Sequence, residues 1–124
     1  MQGLEIHDDG TDLEDILKLI PKEAAASEWT CRYLDVEGGS KQALEHAAEE
    51  GLSIPGAEFL ELVADIEQTI EGDFSAIREG KRTPWLLIRA IDGESFEVFS
   101  KDRGFLAHVE SVFHDVRSTG FADN

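Results

Sequence analysis

One cysteine, Cys31, is all the thiol the 124-residue chain carries. An intramolecular disulfide and the thiolate clusters that hold zinc or iron–sulfur groups are therefore excluded. A catalytic thiol needs an activating histidine or cationic environment, and none is evident in the local sequence, so Cys31 reads as a small buried apolar residue. Bases are scarce as well. Eleven Lys and Arg stand against 27 Asp and Glu, a formal charge of −16, which disfavours direct binding to nucleic acid or to an anionic membrane. No apolar run approaches the ~18 residues a membrane span requires. The opening MQGLEIHDDG lacks the basic and apolar regions of a secretory signal, so a cytoplasmic protein is the expectation.

Also missing are a phosphate-binding glycine loop, a nucleophile elbow, a paired Cys and His metal signature, a heptad pattern and any internal repeat. His7-Asp8-Asp9 are adjacent and do not converge without partners from elsewhere. His46 and Glu49 share a helix face but lack a second histidine. His108, Ser111 and Asp115 share a face by spacing, yet a triad needs its nucleophile on a strained turn beside an oxyanion hole. No catalytic residue, metal ligand or cofactor is expected.

What the chain does have is a hairpin. Residues 84–100, PWLLIRAIDGESFEVFS, place two runs rich in β-branched and aromatic residues on either side of Asp92-Gly93. A three-residue loop, Asp92-Gly93-Glu94 with Gly93 or Glu94 at positive φ, sets Arg89 opposite Glu97, Ile88 opposite Val98 and Ala90 opposite Phe96. That register gives one apolar face and one cross-strand ion pair. The first strand is apolar on both faces, which predicts a central strand covered above and below.

Elsewhere the signals alternate between periods. Thr11 or Asp12 caps a short helix with Leu13, Ile16, Leu17 and Ile20 inward, ended by Pro21. Residues 28–36 read as a strand with Trp29, Cys31 and Tyr33 on one side. Ser40 caps a helix that runs to about Glu50 and is closed by Gly51. A further helix opens at 53–56 and carries Phe59, Leu62, Val63, Ile66 and Ile70, passing into a strand through Phe74, Ala76 and Ile77 near 68–72. Ser100 or Asp102 caps a last helix with Phe105, Val109, Val112 and Val116 inward, flanked by Leu106 and Phe113.

These elements predict one α+β domain, a two-layer sandwich over residues 11–117. Its antiparallel sheet is a three-stranded meander plus an edge strand, covered by about four helices. Residues 1–10 read as a flexible arm and 118–124 as a frayed tail. The first strand, if an exposed edge, is also a homodimerisation surface.

Acidity is uneven: residues 1–79 hold 20 acids and 5 bases, residues 80–124 hold 7 and 6. The first functional expectation is a noncatalytic binding or regulatory module, inhibitor- or immunity-like, that steers onto a basic protein partner. The alternative is a small-ligand protein or enzyme with a pocket between sheet and helices. That pocket would lie near Trp29, Tyr33 and Trp85 and the basic turn holding Arg78, Lys81 and Arg82.

Overall fold

The computed structural model describes residues 1–121. In chain order the elements are β1 (Gln2–Ile6), α1 (Leu13–Leu17), α2 (Pro21–Ala26), β2 (Ser27–Gly38), α3 (Lys41–Glu50), β3 (Ile54–Pro55), α4 (Gly56–Ala64), β4 (Ile66–Arg78), β5 (Leu86–Ile91), β6 (Ser95–Ser100), α5 (Arg103–Val112) and β7 (Val116–Phe121). The strands form one antiparallel sheet in the order β3-β2-β4-β5-β6-β1-β7. The fold is thus mixed α+β, and β5 is its middle strand.

The β5–β6 hairpin has the register its loop dictates, with Arg89 opposite Glu97, Ile88 opposite Val98 and Ala90 opposite Phe96. Asp92 and Gly93 both take positive φ, +53° and +68°. The turn closes through the Glu94 N–H, which donates to the Ile91 carbonyl at 3.0 Å. It is also tied to β4, because the Gly93 N–H donates to the Ile70 carbonyl at 2.8 Å.

Register sorts the side chains into rows. Cys31, Phe74, Ile88, Val98 and Leu4 lie side by side across five strands and are all buried. The buried residues of all five helices join this same core. On the opposite face runs a charged row of Arg32, Asp73, Arg89, Glu97, Glu5 and Arg117. Within it Arg89 reaches Asp73 at 3.0 Å and Glu97 at 3.5 Å, while His7 reaches Glu5 at 3.0 Å. Half-exposed pairs of this kind contribute about 0.2–1 kcal/mol each, so they mark the register more than they stabilise it.

Cover on the two sides of β5 is unequal: Leu86, Ile88 and Ala90 belong to the core that the helices join, whereas Leu87 on the outer face does not. Leu87 and Phe99 are nonetheless only 7% and 5% exposed. They sit opposite each other, and the Phe99 ring lies across Gly3, where any Cβ would collide with that ring and with Thr119.

Several further expectations need correction. The flexible arm of residues 1–10 instead supplies β1, an interior strand paired with both β6 and β7; Leu4 and Ile6 enter the core while Gly3 makes room for Phe99. Residues 118–121 are not a frayed tail, because β7 continues to Phe121 as a polar edge strand; residues 122–124 lie outside the described residues. With β3, that makes seven strands among the described residues where four were expected. Five helices form there where about four were expected, since α1 stops at Leu17 and Pro21 opens a separate α2 at the tolerated first-turn position.

The passage from α4 to β4 falls at Asp65, not near 68–72, because Gly38 pairs with Ile66 and draws the chain into the sheet earlier. β2 is flanked by β3 and β4, so it is no simple edge, although β3 covers only Glu28 and Trp29. Asp12 caps α1 through a reciprocal bond with Asp15, and Asp102 caps α5. Ser40 does not cap with its side chain; its hydroxyl donates to the Leu62 carbonyl at 2.6 Å and fastens α3 to α4.

Candidate functional site

Antiparallel pairing collects distant segments at the two ends of the sheet, and the ends differ in charge. One end gathers residues 8–12, the start of β4, the β5–β6 turn and the start of β7. The other gathers the start of β2, the basic turn 78–83 and residues 100–103.

The first end is acidic. It holds a groove of about 560 Å³ whose lining includes Asp9, Asp12, Glu67, Glu94 and Asp115 together with His7 and Arg117. Some of the local carboxylates have structural duties. Asp12 accepts from the Leu13 N–H at 2.7 Å. Asp8 accepts from the His114 and Asp115 N–H groups at 2.8 and 2.6 Å, joining the end of β1 to the start of β7. Arg117 is committed to Asp115, whose hydrogen bond and charge raise the guanidinium pKa further. Asp9, Glu67 and Glu94 are exposed and have no ion-pair partner among the described residues.

The two backbone donors hold the Asp8 carboxyl below its ordinary pKa, the His114 N–H most of all. A depressed carboxylate pKa contributes stability that is present above the unfolded-state value and is lost as pH falls through the folded one. Asp8→Asn should therefore be less stable than the parent at pH 7, with the gap narrowing once pH drops below about 4. Urea unfolding at pH 7 and pH 3 checks this; a gap that is equal at both pH values contradicts the clasp.

Thr69 also lines this groove and is 3% exposed. Its hydroxyl is the one buried side-chain polar atom without a hydrogen-bond partner among the described residues. Valine has the same branched shape without the unmet polar group, so Thr69→Val should stabilise the domain by about 1 kcal/mol. A melting temperature that falls instead would show that the hydroxyl has a partner.

The second end carries the basic turn. Arg78 lies with its guanidinium carbon 4.3 Å from the Trp85 ring centroid. The indole is fixed in turn, donating to Ser27 Oγ at 2.9 Å, while the Ser27 hydroxyl donates to the Glu23 carbonyl at 2.8 Å. Arg78 and Lys81 share a cleft of about 520 Å³ with Ser27, Glu28, Thr30 and Ser53. Lys101 reaches across to the Thr83 hydroxyl at 3.1 Å.

Between sheet and helices, where the sequence places a pocket, Trp29, Phe59 and Phe74 are fully buried and pack ring against ring. Trp29 is fully buried and stacked on Phe59 at 4.5 Å. Of the six residues singled out, Arg78 and Trp85 meet, Lys81 lines the adjoining cleft and Arg82 is exposed on the same turn. Tyr33 lies elsewhere, 79% exposed at a bulge in β2 with φ +53°. The bulge turns it out of the row begun by Trp29 and Cys31. Beside it a groove of about 520 Å³ is lined by Leu34, Ala48, Glu45 and Glu49. Nothing in the sequence joins Glu67, Glu94 and Thr69 to one site, and Asp9 stands out there only beside His7 and Asp8; their convergence depends on tertiary pairing that includes β1 and β7.

Burial pushes the Cys31 thiol up to about 12, which keeps it protonated and inert. The Ser111 hydroxyl donates to the His108 backbone carbonyl at 2.7 Å, not to a side chain, so no relay forms there. No group of three or more metal-ligating side chains converges among the described residues, nor is any helix there long and apolar enough to cross a membrane. No family model, curated protein or solved structure matches the chain.

Proposed function

We propose that the protein is a noncatalytic binding module that docks a basic protein partner on its acidic end. One observation carries this reading: Asp9, Glu67 and Glu94 rim a groove with no counter-charge of their own. Unpaired carboxylates gathered on one end of a chain of charge −16 create a field that accelerates encounter with a cationic surface and orients it. Tyr33 adds an exposed aromatic on the β2 stretch that leads through Asp35 and Glu37 to the same end. Tyrosines of this kind anchor interfaces whose rims are charged.

The test pairs ionic strength with position. A basic protein captured at low salt from the lysate of the protein's own source should bind the variant Glu67→Lys/Glu94→Lys at least tenfold more weakly. The variant Glu50→Lys/Glu58→Lys, with the same charge change on exposed helix positions, should bind close to the parent level. Absence of any basic protein at low salt, or equal weakening by both variants, would refute docking at this end.

A further inference from the structure

We infer that the cleft at the basic end binds the oxyanion group of a small molecule, a carboxylate or a phosphate, on the guanidinium of Arg78 with Lys81 beside it. The site lies at the opposite end of the sheet from the docking groove and does not depend on it.

Four of the eleven bases, Lys18, Lys41, Arg89 and Arg117, reach a carboxylate within 4 Å, and the other seven have no such pair among the described residues. Arg78, Lys81 and Arg82 belong to the second group, although Glu79 sits among them in the chain. Arg78 is instead carried on the Trp85 ring. An aromatic face attracts a cation electrostatically but offers no oxygen or nitrogen acceptor, so the five guanidinium donors keep their capacity for an oxyanion. A planar fork held on a ring that is itself hydrogen-bonded to Ser27 loses little freedom when it grips two oxygens.

The remaining walls define what the oxyanion is attached to. The Ser27 hydroxyl already accepts from Trp85 and donates to Glu23. The Thr30 and Ser53 hydroxyls have no hydrogen-bond partner among the described residues and are available to a ligand. Ile77 and Pro55 give the cleft an apolar wall. Glu28 and Glu79 also line it and repel a second negative charge. The fitting ligand therefore carries one oxyanion on a short, otherwise neutral or cationic body.

The experiment titrates inorganic phosphate and acetate into the labelled protein at pH 7 and constant ionic strength, following the indole N–H signals. Trp85 reports on Arg78, and Trp29, hydrogen-bonded to the Ala24 carbonyl in the core, is the internal reference. The expected result is a saturable shift at Trp85 with Trp29 unmoved, for one or both anions; whichever saturates identifies the group. Arg78→Gln should weaken binding at least tenfold, and Arg78→Lys by less. Should Arg78→Gln disturb Trp85 before anion is added, Lys81→Gln decides: threefold or more weakening supports the site. The docking-end variant Glu67→Lys/Glu94→Lys should bind the anion as the parent does, which separates the two proposals. Shifts that never saturate, equal movement of both indoles, or undiminished binding after Arg78→Gln or Lys81→Gln would overturn the assignment.

Discussion

Replacing Trp29 with alanine should lower the stability of the domain by about 4 kcal/mol, the range for emptying a large aromatic site in a core. Trp29 stands where β2, β3 and β4 meet α2 and α4. It pairs across the sheet with Ala76 and Ile54, stacks on Phe59 with the rings 12° from parallel, and donates its indole N–H to the Ala24 carbonyl at 2.9 Å. Alanine removes the stack, opens a cavity and leaves the end of α2 without that donor. Trp29→Phe keeps most of the volume but loses the hydrogen bond and leaves a small void, at a cost of about 1–2 kcal/mol. Denaturant unfolding followed by circular dichroism separates the two. If Trp29→Ala cost less than about 1 kcal/mol, the core would not be organised around this residue.

The second large effect is expected at Gly56, the first residue of α4. A Cβ there would collide with the Ala24 and Ala25 carbonyl oxygens and the Ala25 carbonyl carbon. These are backbone atoms of α2 and cannot swing aside as a side-chain tip can. Pro55 and Ile54, paired with Glu28 and Trp29, hold the chain just before it. Gly56→Val should therefore cost about 3 kcal/mol, the upper part of the range for overpacking. Gly51 is the contrast. It ends α3 at φ +65° with open space around it, so Gly51→Ala meets only the left-handed backbone penalty, about 1 kcal/mol. Equal losses at the two sites would mean that α4 does not press on α2.

Both residues lie in a part of the chain that periodicity described only in outline. The β5–β6 hairpin was legible because Asp92-Gly93 fixes a turn locally and the parity of Ile88, Arg89 and Ala90 leaves one register that buries the apolar side chains. The ends of α3 and α5 were legible for the same reason, since Gly51 and Asp102 act within one turn of the backbone. β1 was not legible. Leu4 and Ile6 are too few to announce a strand, and its pairing partners lie 90 or more residues away. β7, VRSTGF, is a polar edge whose order depends on β1 being present.

Ile66 and Ile70 fit a helix and a strand equally well by spacing. The register shifts between β2 and β4 decide the matter, and they are tertiary in origin. One of them falls between Arg32 and Asp35, which explains why Tyr33 leaves the row of Trp29 and Cys31. The candidate sites follow the same division. Arg78 and Trp85 are close in sequence and joined by one turn, so their meeting was within reach of a sequence reading. The acidic groove is assembled from four separate segments and was not.

The account rests on charge being sorted to the two ends of one sheet, with the acidic end free to receive a cationic surface. The most direct test is amide shift mapping with a lysine-rich peptide of about ten residues at low salt. The account predicts that shifts concentrate at residues 8–12, 66–69, 92–94 and 115–117 while residues 78–83 stay unmoved. Shifts spread evenly over the acidic faces of α3 and α4, or confined to the end that carries Arg78, would contradict it.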